Sequence, residues 1–298
     1  MITQQKGRAL GSEVIFTLNA TSEYVASSIL AQIRNFLCNF ENRFSRFKLD
    51  SEVTKVNLLS GSFIAVSDNF LELARIANKM QLYTDGRYNP LLLPDLQRAG
   101  YIDSWPDPDT PSGAPDYSDR PKRKSGKMVI RSDSVKIPIS AAIDFGGIGK
   151  GYALDKIAEI IEANGCTNYW VSLGGDIIGR GVDEWDEPWK VELPALHDKT
   201  AKDVFYTIPK KSRQAIATSS ILRRRGRNWH HIIDPATGKP AVTEIESAVV
   251  VSKSGIISDV IAKCLIISNK SAADFWNNHQ QIDAYIQYAD KYERLVAA

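Results

Sequence analysis

Cysteine is scarce in this sequence of 298 residues, which contains only Cys38, Cys166 and Cys264. The three lie far apart, their number is odd, and none belongs to a C-x-x-C pair. This pattern argues against a disulfide framework and against a zinc site. It is typical of proteins in a reducing compartment, where thiols stay reduced.

Long hydrophobic runs are missing as well. No window approaches the roughly 18 to 20 apolar residues that span a bilayer. The N-terminal segment MITQQKGRALGSEVIFTL has neither the apolar core and cleavage site of a signal peptide nor a cysteine for lipid attachment. We therefore expect a soluble, cytoplasmic protein with no membrane anchor.

The sequence also has almost no surplus charge. Lysine and arginine number 37, aspartate and glutamate number 35, and the net charge is +2. Such an even charge balance does not favour binding to nucleic acid, and we expect no nucleic-acid partner. Hydrophobic residues at 43% and charged residues at 24% are ordinary for a globular protein, which excludes collagen-like, coiled-coil and wholly disordered chains.

Hydrophobic periodicity predicts a mixture of helices and strands. In the N-terminal part we expect a strand over 9–20 with Gly11 as a bulge or close approach, a helix over 22–43 capped by Thr21 or Ser22, and a helix over 68–83 capped by Ser67 or Asp68. In the C-terminal part we expect strands at 128–131, 134–138, 168–173, 188–193, 204–208 and 246–252, with helices over 149–164 and 258–268. Strands and helices that do not alternate regularly favour an α+β fold.

The segment 103–126 differs in composition from the rest of the chain, because it is rich in proline, aspartate, serine and glycine. Such a composition predicts a long loop or insertion. A linker between two domains would look similar. We expect the segment to be mobile and dispensable for folding, since it has little apolar area to bury.

Residues 146–151 form a glycine-rich segment, GGIGKG, immediately before a predicted helix. Glycines let backbone N–H groups converge, the helix N-terminus is positive, and Lys150 adds a full charge, so the combination suits a phosphate or pyrophosphate. The order of glycines matches neither a Walker A loop nor a dinucleotide fingerprint. A tight strand-to-helix turn explains the same glycines equally well.

Other polar clusters allow a structural and a functional interpretation. Gly174-Gly175-Asp176 is a turn or a second phosphate-facing site, and the basic run 223–225 is typical of a solvated surface. His230 and His231, half of the histidines in the chain, stand beside the turn sequence DPATG. Asp259 and Lys263 share one helix face, either as a local ion pair or aimed together at a phosphate or metal.

Taken in order, these segments resemble the blocks of the flavin transferase family, the FAD:protein FMN transferases. The matching segments are Phe44-Ser45-Arg46-Phe47 with Asp50-Ser51-Glu52 and Asn57, then Asp85-Gly86-Arg87-Tyr88-Asn89-Pro90, 143–155, 171–181, 215–220 and 229–240. Each block is weak alone, but all six follow the family's order, and with the opening strand and the helix after 258 the similarity spans about residues 8 to 268. The resemblance implies one flavin transferase-like α+β domain over 1–298, two-lobed, with FAD bound between the lobes and an insertion near 103–126.

The same resemblance implies an enzyme that transfers FMN from FAD to a Thr or Ser hydroxyl of an acceptor protein. The new bond is a phosphodiester, AMP is released, and the reaction depends on magnesium. Two alternatives stay open at this point. One is a protein that binds FAD without transferring it, and the other is a pyrophosphatase that hydrolyses FAD to FMN and AMP.

Site residues follow from the resemblance by position. The implied FAD-binding residues are Leu10, Phe47, Arg87, Tyr88, Asn89, Asp144, Lys150, Thr218 and Ile232. The implied metal ligands are Gly147, through its carbonyl, and Asp259, and the candidate catalytic residues are His231, Asp259 and Lys263.

The chain departs from the family pattern most clearly at Lys263, where a metal-binding Thr is usual. Ser220 and Asn89 replace a common Gly and a common Asp. A magnesium ion supplies two charges and a coordination geometry, whereas an ammonium supplies one charge and no coordination. Either the metal stays, or Lys263 takes over part of its role.

Overall fold

The computed structural model describes residues 1–103, 113–121, 126–193, 203–227, 229–278 and 283–295. The chain forms two compact units. Unit 1 comprises Met1–Asn39, Ile148–Ser220 and Thr243–Ala298, and unit 2 comprises Phe40–Gly147 and Ile221–Val242. Helices and antiparallel sheets are mixed along the chain, and the predicted α+β class is confirmed.

The helices and strands have the following bounds. The helices are α1 (Glu23–Phe44), α2 (Glu52–Leu58), α3 (Asp68–Tyr83), α4 (Leu93–Ala99), α5 (Gly149–Ala163), α6 (Gly255–Ser268) and α7 (Ala272–Asn278), with a 3-10 turn at Asn269–Ser271. The strands are β1 (Ile2–Ala9), β2 (Ser12–Asn19), β3 (Ile64–Ala65), β4 (Val129–Ile130), β5 (Ser134–Lys136), β6 (Tyr169–Leu173), β7 (Asp176–Arg180), β8 (Lys190–Glu192), β9 (Phe205–Thr207), β10 (Gln214–Ser220), β11 (Ile233–Asp234), β12 (Lys239–Pro240), β13 (Ser247–Ser252), β14 (Asp283–Gln287) and β15 (Tyr292–Leu295).

Unit 1 is built on one antiparallel sheet. Its strand order, within the described residues, is β1-β2-β6-β7-β10-β13-β14-β15. All six residues of β13 are buried, which is the pattern of a central strand covered on both faces. Strand residues Phe16, Leu18 and Val171 share one apolar core with helix residues such as Ile29 and Ile157.

Unit 2 carries α2, α3 and α4, the small sheet β3-β5-β4 and the hairpin of β11 and β12. Three phenylalanines form its aromatic centre. The ring centroid of Phe44 lies 5.7 Å from that of Phe70 and 5.6 Å from that of Phe145, and the Phe70 and Phe145 centroids are also 5.6 Å apart. Phe44 and Phe70 are stacked and the other two pairs are edge-on, which are favoured geometries for buried rings.

Helices with local capping signals match the prediction closely. α3 has the predicted bounds, and the hydroxyl of Ser67 caps it by accepting from the N–H of Phe70. α1 begins one residue later than predicted, with Ser22 Oγ accepting from the N–H of Val25 at 3.3 Å. Among the helices in the described ranges, none is both long and apolar enough to cross a bilayer.

The predicted opening strand over 9–20 is confirmed over Ser12–Asn19, the bounds of β2, but its start is wrong because the chain reverses there. Leu10 and Gly11 have φ angles of 54° and 67° and form a two-residue turn between β1 and β2. Consecutive positive φ angles are the geometry of a tight hairpin turn. Gly11 is therefore a turn residue and not a bulge.

The segment 103–126 lies within unit 2 and is not a linker between the units. Residues 104–112 and 122–125 are outside the described residues. The stretch 113–121 is anchored, because Tyr117 is 6% exposed and its N–H donates to Gln97 Oε1 at 2.8 Å. Removing 113–121 would delete this buried ring and uncover Leu93 and Ala142, which pack against it, and this argues against the expectation that the whole segment is dispensable.

Helices α5 and α6 cross in unit 1 with their backbones in contact. A Cβ atom at Gly151 would penetrate the carbonyl group of Gly255, and a Cβ at Gly255 would penetrate that of Gly151. Glycine is the only residue that allows this approach at either position.

The crossing places a carboxylate of each helix on the first turn of the other. Asp155 of α5 accepts from the N–H of Gly255 at 2.7 Å, from the N–H of Ile256 at 3.2 Å and from the hydroxyl of Ser254 at 2.7 Å. Asp259 of α6 accepts from the N–H of Gly151 at 3.1 Å. Each Asp stands four residues after the glycine of its own helix, so the two helices cap one another reciprocally.

This reciprocal cap explains why α6 begins at Gly255 and not at 258, as the sequence had predicted. The donors of its first turn are satisfied by Ser254 Oγ and by Asp155, a residue of another helix. Burial raises the pKa of the Asp155 carboxyl, and its hydrogen bonds oppose that shift.

Gly151→Ala should lower the free energy of unfolding by about 3 kcal/mol or more, because the new methyl group cannot avoid the backbone of α6. Gly7→Ala is the matched control, since a Cβ there would meet Val14 at an ordinary 3.6 Å. Chemical denaturation of both variants tests this. Equal stabilities would show that the two helices can separate at little cost.

Asp155→Ala should lower the free energy of unfolding by about 1 to 3 kcal/mol, because it leaves buried donors of α6 without an acceptor. The control is Glu159→Ala on the same helix, where an exposed carboxylate pairs only with Lys156 in the contacts of the described residues. Thermal and urea unfolding would give both values. A control as destabilised as Asp155→Ala would contradict the capping role.

Candidate functional site

Lys150 is the charged residue of the glycine-rich segment and lies in the first turn of α5. Its ammonium pairs with Oδ2 of Asp176, the first residue of β7. Oδ1 of Asp176 accepts a hydrogen bond of 2.9 Å from the N–H of Thr218 on β10. The side chains of Lys150 and Asp176 are 18% and 2% exposed, so a buried carboxylate holds a partly exposed ammonium.

Lys263 repeats this arrangement on α6. Its ammonium pairs with Oδ1 of Asp259 and donates to the carbonyl of the same residue at 3.1 Å. Oδ2 of Asp259 accepts from the N–H of Gly151, the residue after Lys150. The side-chain exposures are again 18% for the lysine and 2% for the aspartate. The ion pair predicted as the structural alternative is therefore present, and it lies against the first turn of α5.

Unit 1 thus has two ammonium groups beside the N-terminal turn of α5, each oriented by a buried aspartate. Each aspartate is oriented in turn by a backbone N–H. Fixed cations near the positive end of a helix are suited to bind the oxygens of a phosphate or pyrophosphate. The functional interpretation of the glycine-rich segment is supported by this placement.

Leu10 and Thr218 are the other predicted site residues in unit 1. Leu10 occupies the β1–β2 turn, next to Ser12. A Cβ atom at Gly174 would clash with Ser12 and lie 3.9 Å from Lys150 Cδ, so the β6–β7 turn passes between the hairpin and the lysine. Thr218 touches the same group through its N–H to Asp176.

The residues present do not fit a magnesium ion. Both carboxylate oxygens of Asp259 already have partners, the ammonium of Lys263 and the N–H of Gly151. Position 263 offers a cation where an oxygen ligand is needed, and like charges repel. Gly147, the other predicted ligand, lies two residues before the start of α5. No group of three His, Cys, Asp or Glu side chains in the described ranges could hold a metal ion.

In unit 2, Phe47 belongs to an aromatic and cationic cluster. The guanidinium carbon of Arg46 lies 4.1 Å from the ring centroid of Phe47 and 4.7 Å from that of Tyr101. Trp229 stacks on Tyr101 with centroids 6.1 Å apart and an interplanar angle of 26°. Arg46 is buried and donates to the carbonyls of Tyr101 and Ile102 at 3.0 and 3.1 Å, so the cluster is rigidly held.

Asp144 lies beside the same arginine. Its Oδ1 is 3.8 Å from Nε of Arg46 and accepts from the N–H of Gly146 at 3.1 Å. Its own N–H donates to the carbonyl of Pro90 at 2.8 Å. The structure therefore connects Asp144 to Phe47 through Arg46.

The block from Arg87 to Asn89 occupies a tight turn of unit 2. Tyr88 is 6% exposed, so its ring lies in the core, and its N–H donates to Thr84 Oγ1 at 3.0 Å. Asn89 Oδ1 accepts from the N–H of Leu91 at 2.9 Å. The guanidinium of Arg87 is partly exposed and 3.9 Å from the carboxylate of Asp85. Of the three, Arg87 has the side chain best placed to meet a ligand.

The two histidines have different roles. His230 Nδ1 accepts from the N–H of Ile232 at 3.3 Å, and its Nε2 contacts the carbonyl of Ala241 at 3.1 Å. Burial lowers the pKa of His230, which keeps the ring neutral and suits both contacts. His230 is therefore structural. His231 lies edge-on to Tyr101 at 6.3 Å, in the cluster that contains Phe47.

Ile232 is 3% exposed, and its carbonyl accepts from the N–H of Ala241 at 2.9 Å. Both of its backbone groups are thus bonded within unit 2, which leaves little of this residue for a ligand.

Sequence reasoning missed Asp176 as a site residue, although the Gly-Gly-Asp turn had been noticed. It also missed Arg46, Tyr101 and Trp229. Arg46 had a signal, because it belongs to the first block of the resemblance. Tyr101 and Trp229 had none, since no local pattern shows that residues so distant in sequence share one cluster.

The chain is similar to known proteins over most of its length. The ApbE family profile matches residues 10–286. The FAD:protein FMN transferase of Vibrio cholerae is 25% identical over 259 residues, covering 81% of this chain and 74% of that protein. The FAD:protein FMN transferase of Treponema pallidum is 26% identical over 288 residues, covering 90% and 79%.

Solved structures show the same fold. The apo flavinyl transferase ApbE of Pseudomonas stutzeri superposes with a TM-score of 0.83 at 19% identity, covering 100% of this chain and 94% of that one. The ApbE protein of Thermotoga maritima gives 0.82 at 21% identity, covering 99% and 97%. The family profile extends over most of the sequence, which confirms the resemblance predicted from the ordered motifs. The chain belongs to the ApbE family.

Proposed function

We propose that this protein transfers FMN from FAD to a Thr or Ser hydroxyl of an acceptor protein and releases AMP. The observation that carries the proposal is the pair of oriented ammonium groups, Lys150 and Lys263, at the first turn of α5. The FAD:protein FMN transferase relatives supply the reaction class.

The transfer replaces the phosphoanhydride bond of FAD with a phosphodiester bond to the acceptor. The acceptor hydroxyl oxygen attacks the phosphorus of the FMN half, and the P–O bond to the AMP phosphate breaks. AMP leaves with the bridging oxygen, and the hydroxyl proton passes to a base. Negative charge grows on the leaving phosphate, so fixed positive charge near the pyrophosphate lowers the barrier.

The two oriented ammonium groups suit a pyrophosphate. Lys150 and Lys263 each present an ammonium whose aspartate partner is almost fully buried. A group oriented before the ligand arrives needs no reorganisation during the reaction, which is the source of most electrostatic stabilisation in enzymes.

The residues that the resemblance assigns to the flavin have suitable chemistry. Phe47 offers an aromatic surface to a ring system, and Asp144 and Arg87 offer polar groups to its edges. His231 is our candidate for the base, because a neutral imidazole can accept a proton near neutral pH. Its neighbour His230 is occupied by backbone contacts.

Magnesium dependence, which the resemblance implies, does not enter this proposal, because the residues around Asp259 do not fit the ion. The acceptor is proposed only as a protein with an accessible Thr or Ser. A cytoplasmic location stays a prediction of the sequence.

Incubation with FAD and candidate acceptor proteins tests the function, with intact-mass spectrometry of the acceptor and chromatography of free nucleotides. Transfer predicts an added FMN on the acceptor and an equal amount of free AMP. Equal free FMN and AMP would indicate a pyrophosphatase instead. Bound FAD without any AMP would indicate a flavin-binding protein, and either result would refute transfer.

Phe47→Ala should weaken FAD binding about tenfold, because it removes one aromatic surface from the flavin ring. The matched control is Phe63→Ala, which removes another phenylalanine of unit 2 with an arginine over its ring, at 3.6 Å. Quenching of flavin fluorescence gives both affinities. If the two variants bind FAD equally well, Phe47 does not contact the flavin.

A further inference from the structure

Lys263 is held in one orientation by its own helix. Its ammonium contacts both the carboxylate and the carbonyl of Asp259, one helical turn earlier. An ammonium carries three donors. Two are used in these contacts, so among the described residues one N–H direction stays available on a side chain that is 18% exposed.

The second oxygen of Asp259 ties this lysine to the glycine-rich segment. That oxygen accepts from the N–H of Gly151, immediately after Lys150. The contact is possible only because α5 and α6 touch at Gly151 and Gly255. Lys263, a residue of α6, is therefore held close to the first turn of α5, which contains Lys150.

A divalent ion at Asp259 would either lie directly beside the ammonium of Lys263 or displace it from the carboxylate. The displaced ammonium would stay within reach on the same helix face, where it would repel the ion. Magnesium also requires near-octahedral oxygen ligands, and residue 263 supplies none. The buried carboxylate and its lysine form a complete, charge-balanced unit without a metal.

We propose that the ammonium of Lys263 binds a pyrophosphate oxygen of FAD in the place of a divalent cation, so that this protein binds and uses FAD without a divalent metal. The inference rests on the proposed function and concerns the same site. Together Lys150 and Lys263 carry two positive charges, the charge of one magnesium ion. They act by hydrogen bonding and Coulomb attraction and not by coordination.

The test measures FAD affinity by isothermal titration in EDTA and in excess magnesium, for the parent protein, Lys263→Thr and Lys270→Thr. Lys270 is exposed in the 3-10 turn after α6, so its variant loses the same charge away from the site. The parent and the Lys270 variant should bind equally in both buffers. Lys263→Thr should bind about 10- to 100-fold more weakly in EDTA, the loss expected for one charge-assisted hydrogen bond.

Thermal unfolding gives a second readout that does not involve FAD. Magnesium should leave the Tm of the parent unchanged and raise that of Lys263→Thr, because the Thr hydroxyl and a released Asp259 can then hold the ion. A magnesium-dependent rise in the Tm of the parent would contradict the proposal.

Two results would overturn the inference while leaving the function intact. One is loss of parent FAD affinity in EDTA with recovery in magnesium, which needs no variant and so is independent of folding. The other is Lys263→Thr binding as tightly as the parent in EDTA. If the parent bound FAD in neither buffer, the proposed function itself would fail, and the inference with it.

Discussion

The contact between the backbones of α5 and α6 is the constraint on which the candidate phosphate site depends. Only glycine at 151 and 255 allows it, and it brings each helix within reach of a carboxylate from the other. Both oxygens of one of those carboxylates, Asp155, accept hydrogen bonds from the first turn of α6. The other, Asp259, keeps one oxygen for Lys263. A packing requirement in the core thereby sets the position of a charged group at the surface.

The two lysine–aspartate pairs follow one physical logic. A buried carboxylate is costly unless it is paired and hydrogen-bonded, and Asp176 and Asp259 each have a lysine and a backbone N–H. The aspartate holds its lysine in a single orientation, so the ammonium would lose little further rotamer freedom on meeting a ligand. In the aromatic cluster of unit 2, buried Arg46 does the same for Phe47 and Tyr101.

Local signals in the sequence predicted those parts of the fold that local chemistry determines. The bounds of α3 follow from its periodicity and from Ser67. The start of α6 is only partly local, because Ser254 is its N-cap while Asp155, a hundred residues away in the chain, accepts from the N–H groups of Gly255 and Ile256. The ordered motifs identified the family and most candidate site residues, yet Asp176 became a site residue only once its contact with Lys150 was known. Long-range contacts leave no trace in a single sequence.

The division of the chain into units has a consequence for how this protein could be dissected. The chain passes from one unit to the other after Asn39, Gly147, Ser220 and Val242, so neither unit is a continuous stretch of sequence. The first passage lies inside α1 and the second inside the glycine-rich segment. No truncation at either terminus can therefore isolate a unit. Both termini belong to unit 1, so any truncation removes part of unit 1 and still leaves unit 2 joined to the rest of it. Domains that follow each other along the chain can be reused one at a time in other proteins. Neither unit of this protein can be reused in that way, because neither is a continuous segment.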